Sequence, residues 1–239
     1  MEKIVDFHSH VLPGIDDGSP NIETSLRMLR SITEQGVQVQ VLTPHFYAWR
    51  DDIPRFLSRR EQSFRALSEV LPPETPQLLC GAEVAYYPHM SSDPQLRELC
   101  IEGSDALLVE MPFESWTSDV TDEIATLSLD RGYRVVLAHV ERFLPYKGNP
   151  ERLESISRLP VTFQVNAEVL LHLTTRGSVL RLARAEKPLI LGSDAHNDNK
   201  RPPNLAEGRR VIEKKLGREY LLRMDEAACD LLWGGQPEK

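Results

Sequence analysis

His8-Ser9-His10, Asp16-Asp17, His45, Glu83, Glu110, His139 and Asp194-Ala195-His196 are the side chains whose types and spacing can do chemistry in this sequence. Five of its seven histidines are among them. Imidazole nitrogen mixed with carboxylate oxygen is the donor set that takes zinc, manganese or iron. A His-x-His pair on an extended segment sends both rings to one face, because side chains there alternate with period two, and Asp194-x-His196 repeats the device. Taken singly, a His or Glu at a strand end is more often a capped or solvated polar residue than a ligand. Agreement at six strand ends alters that weighing, because unpaired buried carboxylates cost several kcal/mol each unless cations offset them. Eight or nine donors exceed what one ion of about four to six coordination can use, so two or three divalent ions sharing a carboxylate are expected. With Asp17, Glu83, Glu110 and Asp194 on three such ions, the cluster keeps a charge of about +2, suited to a phosphate monoester dianion.

The elements that must position these residues follow from short Val/Ile/Leu runs alternating with longer segments of helical period, the pattern of repeated βα units around a parallel sheet. Strands are expected at 4–6, 37–43, 77–82, 106–110, 134–138, 161–165 and 189–192. In parallel barrels the site is built at the strand C-terminal ends, and every residue named above falls at such an end. The spacing predicts a first helix capped by Ser19, with Pro20 at its first position, the stripe Ile22, Leu26, Leu29, Ile32, and Gly36 as its stop. A second helix is expected over 54–71, a third over 118–131, and two more near 205–216 and 219–232. No internal repeat, low-complexity tract or dividing linker interrupts the 239 residues, so one barrel domain over 1–239 is the expectation.

Apolar residues make up 41% and charged residues 27%, which supports a sizeable core. The net charge of −8 disfavours a general nucleic-acid binder. Cys80, Cys100 and Cys229 are scattered and odd in number, as in a reducing compartment. None has an arginine six positions later, where Tyr86, Ala106 and Gly235 stand, so the cysteine-thiolate route to phosphate ester hydrolysis is excluded. No apolar run approaches the roughly 18 residues of a membrane span, so a cytoplasmic location without membrane insertion is expected.

The sequence resembles the polymerase and histidinol phosphatase (PHP) superfamily, and within it the bacterial metal-dependent protein-tyrosine phosphatases of capsule and exopolysaccharide operons. The resemblance rests on segments spread over nearly the whole chain in order: Asp6-Phe7-His8-Ser9-His10, Pro13-Gly14-Ile15-Asp16-Asp17-Gly18, Thr43-Pro44-His45, Gly81-Ala82-Glu83, Leu108-Val109-Glu110, Ala138-His139-Val140-Glu141-Arg142, Gln164-Val165-Asn166-Ala167, and Gly192-Ser193-Asp194-Ala195-His196-Asn197 with Arg201-Pro202-Pro203. It implies an α/β fold, a distorted TIM-like (β/α)7 barrel of PHP type. By the same resemblance, His8, His10, Glu83 and Asp194 would hold one metal, Glu83, Glu110 and His139 a second, and Asp17, His45 and His196 a third. Arg142 and Arg201 match rim arginines, whose planar forks bind phosphate oxygens in pairs. Phe46-Tyr47-Ala48-Trp49 replaces the basic residue that many relatives carry after His45, and Phe143 stands where Tyr is common, so the substrate rim differs.

The expected chemistry is hydrolysis of a phosphate monoester, in which divalent ions neutralise the ester's charge and lower the pKa of a water. Manganese is the expected metal, with iron, zinc or magnesium as alternatives. Tyrosinate, with a pKa of about 10, is a fair leaving group that needs modest protonation; Asp16, Asp17 and His45 are the candidate donors. The expected partner is the phosphotyrosine tail of a bacterial tyrosine autokinase; a homo-oligomer is compatible with the sequence. Two other readings stand beside it: a small-molecule phosphatase of histidinol phosphate type, and a non-catalytic metal-binding regulatory barrel. His89 and His172 read as loop or helix-surface residues. Trp49, Trp116 and Phe113 are candidates for a rim that stacks on an aryl ring, although aromatic residues in barrel loops more often pack.

Overall fold

A computed structural model describes residues 3–184 and 189–234. Nine strands lie within it: β1 (Val5–Asp6), β2 (Val39–Leu42), β3 (His45–Phe46), β4 (Gln77–Cys80), β5 (Glu83–Ala85), β6 (Ala106–Glu110), β7 (Arg134–Leu137), β8 (Thr162–Asn166) and β9 (Ile190–Gly192). All pair in parallel, in the orders β1-β2-β4 and β3-β5-β6-β7-β8-β9. The amide of Phe7 donates to Leu191 O at 3.2 Å and that of His10 to Ala195 O at 2.9 Å, which joins the last strand to the first. The result is a curled parallel sheet drawn into a distorted barrel.

Two of the expected strands, 37–43 and 77–82, are each followed by a further short strand in the same lane. Pro44 has no N–H to give the ladder, so β2 ends before it and β3 begins after it. The neighbouring lane breaks beside it at Gly81-Ala82, and Gly81 N and Glu83 N still donate to Leu42 O and Pro44 O at 2.9 and 3.0 Å. His45 and Glu83 therefore open short strands of their own instead of standing in loops, and they are direct register partners.

Eight α-helices accompany the strands among the described residues: α1 (Ile22–Glu34), α2 (Ile53–Ser68), α3 (Ser118–Leu129), α4 (Asn149–Ile156), α5 (Ala167–Leu171), α6 (Leu173–Leu182), α7 (Leu205–Leu216) and α8 (Arg218–Trp233). The cap of α1 is Asn21, not Ser19: its side chain accepts from Thr24 N at 2.9 Å, while the Ser19 hydroxyl donates to Asn21 O. Asp52 caps α2 in the same way, through Arg55 N at 2.8 Å. Val5, Phe7, Val41, Leu108, Val136 and Ile190, from five strands or their ends, pack in one buried cluster with Ala228, Leu231 and Leu232 of α8. Among the described residues no helix is long and apolar enough to cross a membrane.

Candidate metal centre

The strand ends deliver their polar side chains to one place. His8 Nε2 lies 3.1 Å from His10 Nε2, 3.2 Å from Glu83 Oε2 and 3.6 Å from Asp194 Oδ1. His10 Nε2 is 3.3 Å from the same Glu83 oxygen and 3.4 Å from the same Asp194 oxygen. His139 Nε2 stands 2.8 Å from Glu83 Oε1 and 3.3 Å from Glu110 Oε1. Asp17 Oδ1 is 3.5 Å from His45 Nε2 and 3.6 Å from His196 Nε2. All of these except His45 and the exposed Asp17 are buried.

Among the described residues, donor atoms mutually within 4.8 Å form three groups: His8, His10 and Asp194; His45, Glu83 and Glu110; and His10, Asp17, His45 and His196. The partition differs from the one the resemblance implies: Glu83 falls in one group instead of two, His139 in none of the three, and two further changes go with this. His10 belongs to two groups, and His45 faces Glu83, with Nδ1 2.9 Å from Oε2. The interruption at Pro44 accounts for the second of these changes, since it sets His45 beside Glu83 in register.

Burial alone would drive Glu83 and Asp194 toward protonation, but the charge of His8, with that of His45 for Glu83 and of His10 for Asp194, holds both well below the usual carboxylate range. Burial disfavours charge on His139, yet hydrogen bonds to Glu110 and Glu83 raise it to about 9. His196, buried and facing the charge of His10, falls to about 4. Carboxylates that attract protons onto these rings are equally able to hold a divalent cation. Glu83 Oε2, His45 Nδ1 and His196 Nε2 are buried without a hydrogen bond; the short His45–Glu83 approach lacks hydrogen-bond geometry. Inward-facing atoms without partners, in a nitrogen and oxygen donor set, fit transition-metal ions.

Asp16 is placed differently from the expected proton donor. Its Oδ2 takes His10 Nδ1 at 2.7 Å and the His45 amide at 3.0 Å, and its Oδ1 the Gly18 amide at 2.9 Å. Although burial opposes ionisation, the charge of His10 and these bonds hold the carboxyl far below its usual range, so it orients His10 and has no proton to give. Asp17 and His45 remain at the opening.

Arg142 and Arg201, each about one-third exposed, both place Nη2 2.6 Å from Asp194 Oδ2. Both side chains line a cavity of roughly 720 Å³ that reaches Glu83 and Glu110 and is walled by Tyr47, Trp49, Arg50, Tyr86 and Phe113. Phe113 stacks on His139 with centroids 6.0 Å apart, and Tyr47 on His45 at 5.1 Å. Trp116 belongs to the core instead, packed on Phe143 with its indole N–H on Pro112 O. Tyr47, Arg50 and Tyr86 were not candidates from sequence; the unusual Phe-Tyr-Ala-Trp run was the signal available for the first. Burial pushes the Cys80 and Cys100 thiols up to about 11 and 12, so neither is a nucleophile.

Gly192 shows how tightly the centre is packed. A Cβ there would meet His8 Cβ at 2.6 Å and Gln164 Nε2 at 2.8 Å. Gly192→Ala is expected to destabilise the chelator-treated protein by about 1–3 kcal/mol, read as a lower urea midpoint.

The profile of the family described as "Capsular polysaccharide synthesis, CpsB/CapC" matches residues 4–229. This chain belongs to the CpsB/CapC family. It is 28% identical over 236 residues to the tyrosine-protein phosphatase YwqE of Bacillus subtilis, covering 96% of this chain and 91% of that one. Tyrosine-protein phosphatase CpsB of Streptococcus agalactiae is 25% identical over 225 residues, covering 90% and 92%. A solved chain from the crystal structures of YwqE from Bacillus subtilis and CpsB from Streptococcus pneumoniae, described as unique metal-dependent tyrosine phosphatases, superposes with a TM-score of 0.84. It is 27% identical, with 98% of this chain and 96% of that one covered. An amidohydrolase at 13% identity and TM-score 0.58, covering 99% of this chain and 75% of its own, shares the fold alone. The membership expected from the motifs is thus shown for the chain as a whole.

Proposed function

We propose that this CpsB/CapC protein is a metal-dependent phosphomonoesterase that removes phosphate from tyrosine on a bacterial tyrosine autokinase controlling capsule or exopolysaccharide synthesis. It acts in the cytoplasm, as one barrel domain, with His8, His10, Asp17, His45, Glu83, Glu110, His139, Asp194 and His196 as ligands. The observation that carries the reading is the convergence of buried imidazoles and carboxylates beside two half-open guanidinium groups, under an aromatic mouth. Two or three divalent ions, manganese first among them, supply charge neutralisation and a water of lowered pKa when bound. The chain's own residues do the rest. Arg142 and Arg201 grip the equatorial phosphate oxygens, Phe113 and Tyr47 hold the aryl ring, and Asp16 keeps His10 aimed inward.

The test compares a phosphotyrosine peptide with a phosphoserine peptide and with histidinol phosphate, before and after chelation. Hydrolysis of the first is expected to dominate, to vanish with chelator and to return with manganese. Preference for histidinol phosphate, or no turnover with metal present, would replace this reading with one of the other two. Phe113→Ala is expected to raise KM for the phosphotyrosine peptide by roughly 3- to 10-fold, the worth of one aromatic stack, and to leave an alkyl phosphate unaffected.

A further inference from the structure

The candidate ligands stand at or past the ends of β1, β6, β7 and β9, or open β3 and β5; the end of β8 bears none. It closes on Gln164-Val165-Asn166, with both amide side chains buried. Gln164 Oε1 accepts the backbone N–H of His139 at 2.8 Å, and His8 Nδ1 lies 3.1 Å from the same oxygen. Gln164 Nε2 donates to Asn166 Oδ1 at 3.0 Å, and Asn166 Nδ2 donates to Asp194 Oδ2 at 2.7 Å. Three ligands from three other strands are thus tied to one strand that contributes no ligand of its own.

The direction of every bond in this chain is determined. A backbone N–H can only donate and an ionised carboxylate can only accept, so Gln164 must turn its oxygen to His139 and its NH2 to Asn166. Asn166 must then turn its NH2 to Asp194. Because the Gln164 oxygen also faces His8, Nδ1 of that ring carries a proton, which makes Nε2, facing His10, Glu83 and Asp194, the nitrogen that can offer a lone pair to a cation. At the other end, Asn166 and the two arginines occupy Asp194 Oδ2, which leaves Oδ1 facing His8 and His10. The relay also meets the two ligands whose backbones are strained: His139 and Asp194 have φ of 31° and 52°, a region that side chains other than glycine rarely adopt.

We propose that Gln164 and Asn166 are positioning residues, a neutral amide relay that sets the His8 tautomer, anchors the turn at His139 and orients Asp194, so that the centre meets its cations already arranged. Neutrality is part of the device, because a carboxylate at either position accepts at both oxygens and breaks the one-way order. Gly192 packs against Gln164 Nε2 and leaves the relay no room to slide. The inference rests on the metal-centre reading above.

The test titrates Co2+ and Mn2+ calorimetrically into the full chelator-treated chain, records the visible spectrum of the Co2+-loaded protein, and measures melting with and without metal. Gln164→Leu is expected to weaken Co2+ binding by roughly 10- to 100-fold and to change the Co2+ spectrum. The isosteric Gln164→Glu and Asn166→Asp, which keep the packing, are expected to lose roughly 10-fold, and they carry the test if Gln164→Leu does not fold. The rise in melting temperature on metal binding should shrink in all of them. Wild-type affinity and spectrum in both isosteric variants would overturn the proposal, as would an equal loss of melting temperature with and without metal. Failure of the wild type itself to take up Co2+ or Mn2+ would overturn the metal-centre reading and this proposal together, whereas equal binding by wild type and variants sinks the relay alone.

Discussion

Glu83→Gln is expected to lose bound divalent metal and turnover together, with kcat/KM on a phosphotyrosine peptide falling on the order of 10³-fold. Glu83 is fully buried and lies 2.8 Å from His139, 2.9 Å from His45, 3.2 Å from His8 and 3.3 Å from His10. An amide of the same shape removes a negative charge from the middle of the cluster and turns an NH2 toward imidazole lone pairs. A loss of that size corresponds to about 4 kcal/mol of transition-state stabilisation, within reach of a buried carboxylate that approaches four imidazoles. Asp16→Asn should cost less, because Asp16 touches the cluster through His10 and otherwise holds the His45 and Gly18 amides. Metal content by elemental analysis and peptide hydrolysis decide the matter. Full metal content with turnover within a few-fold of wild type would show that Glu83 is not a ligand.

The convergence of the candidate ligands was legible because most sit where apolar strands stop: His8 and His10 just past β1, Glu110 at the end of β6, His139 after β7, and Asp194 and His196 after β9. Asp194 nevertheless takes a left-handed φ of 52° that strand alternation did not anticipate. The short strands β3 and β5 were less visible, because nothing local marked that pairing resumes at His45 after Pro44 and at Glu83 after Gly81-Ala82. Asp16 illustrates a deeper limit. Its role depends on a ring six residues earlier and an amide twenty-nine residues later, and no spacing rule encodes that pairing. Gln164 and Asn166 stood in plain view as polar residues alternating in a buried strand, but which donors they meet is decided by three other strands. Residue type alone could not separate Trp116, which packs, from Phe113, which lines the mouth. Helices α4, α5 and α6 escaped because they are 8, 5 and 10 residues long, too short for a periodic stripe to stand out.

Arg142→Ala and Arg201→Ala are each expected to lower kcat/KM by about 10²-fold, and the double variant by more than the product of the two. Each guanidinium holds Asp194 Oδ2 at 2.6 Å and lines the cavity, so each is expected to have two tasks, Asp194 and the phosphate. Losing one arginine removes half of the phosphate grip but leaves Asp194 held by the other arginine and by Asn166 Nδ2 at 2.7 Å. Losing both leaves Asn166 alone, so Asp194 can rotate its second oxygen and the centre loosens as the substrate grip disappears. Arg201→Lys should recover little, because one ammonium cannot bridge Asp194 and a phosphate oxygen as a planar fork does. Inhibition by inorganic phosphate separates the two tasks: it should weaken in each single variant while metal content holds, and metal content should fall only in the double. Strictly multiplicative losses with metal retained throughout would mean that the arginines serve phosphate alone and that their contact with Asp194 is incidental.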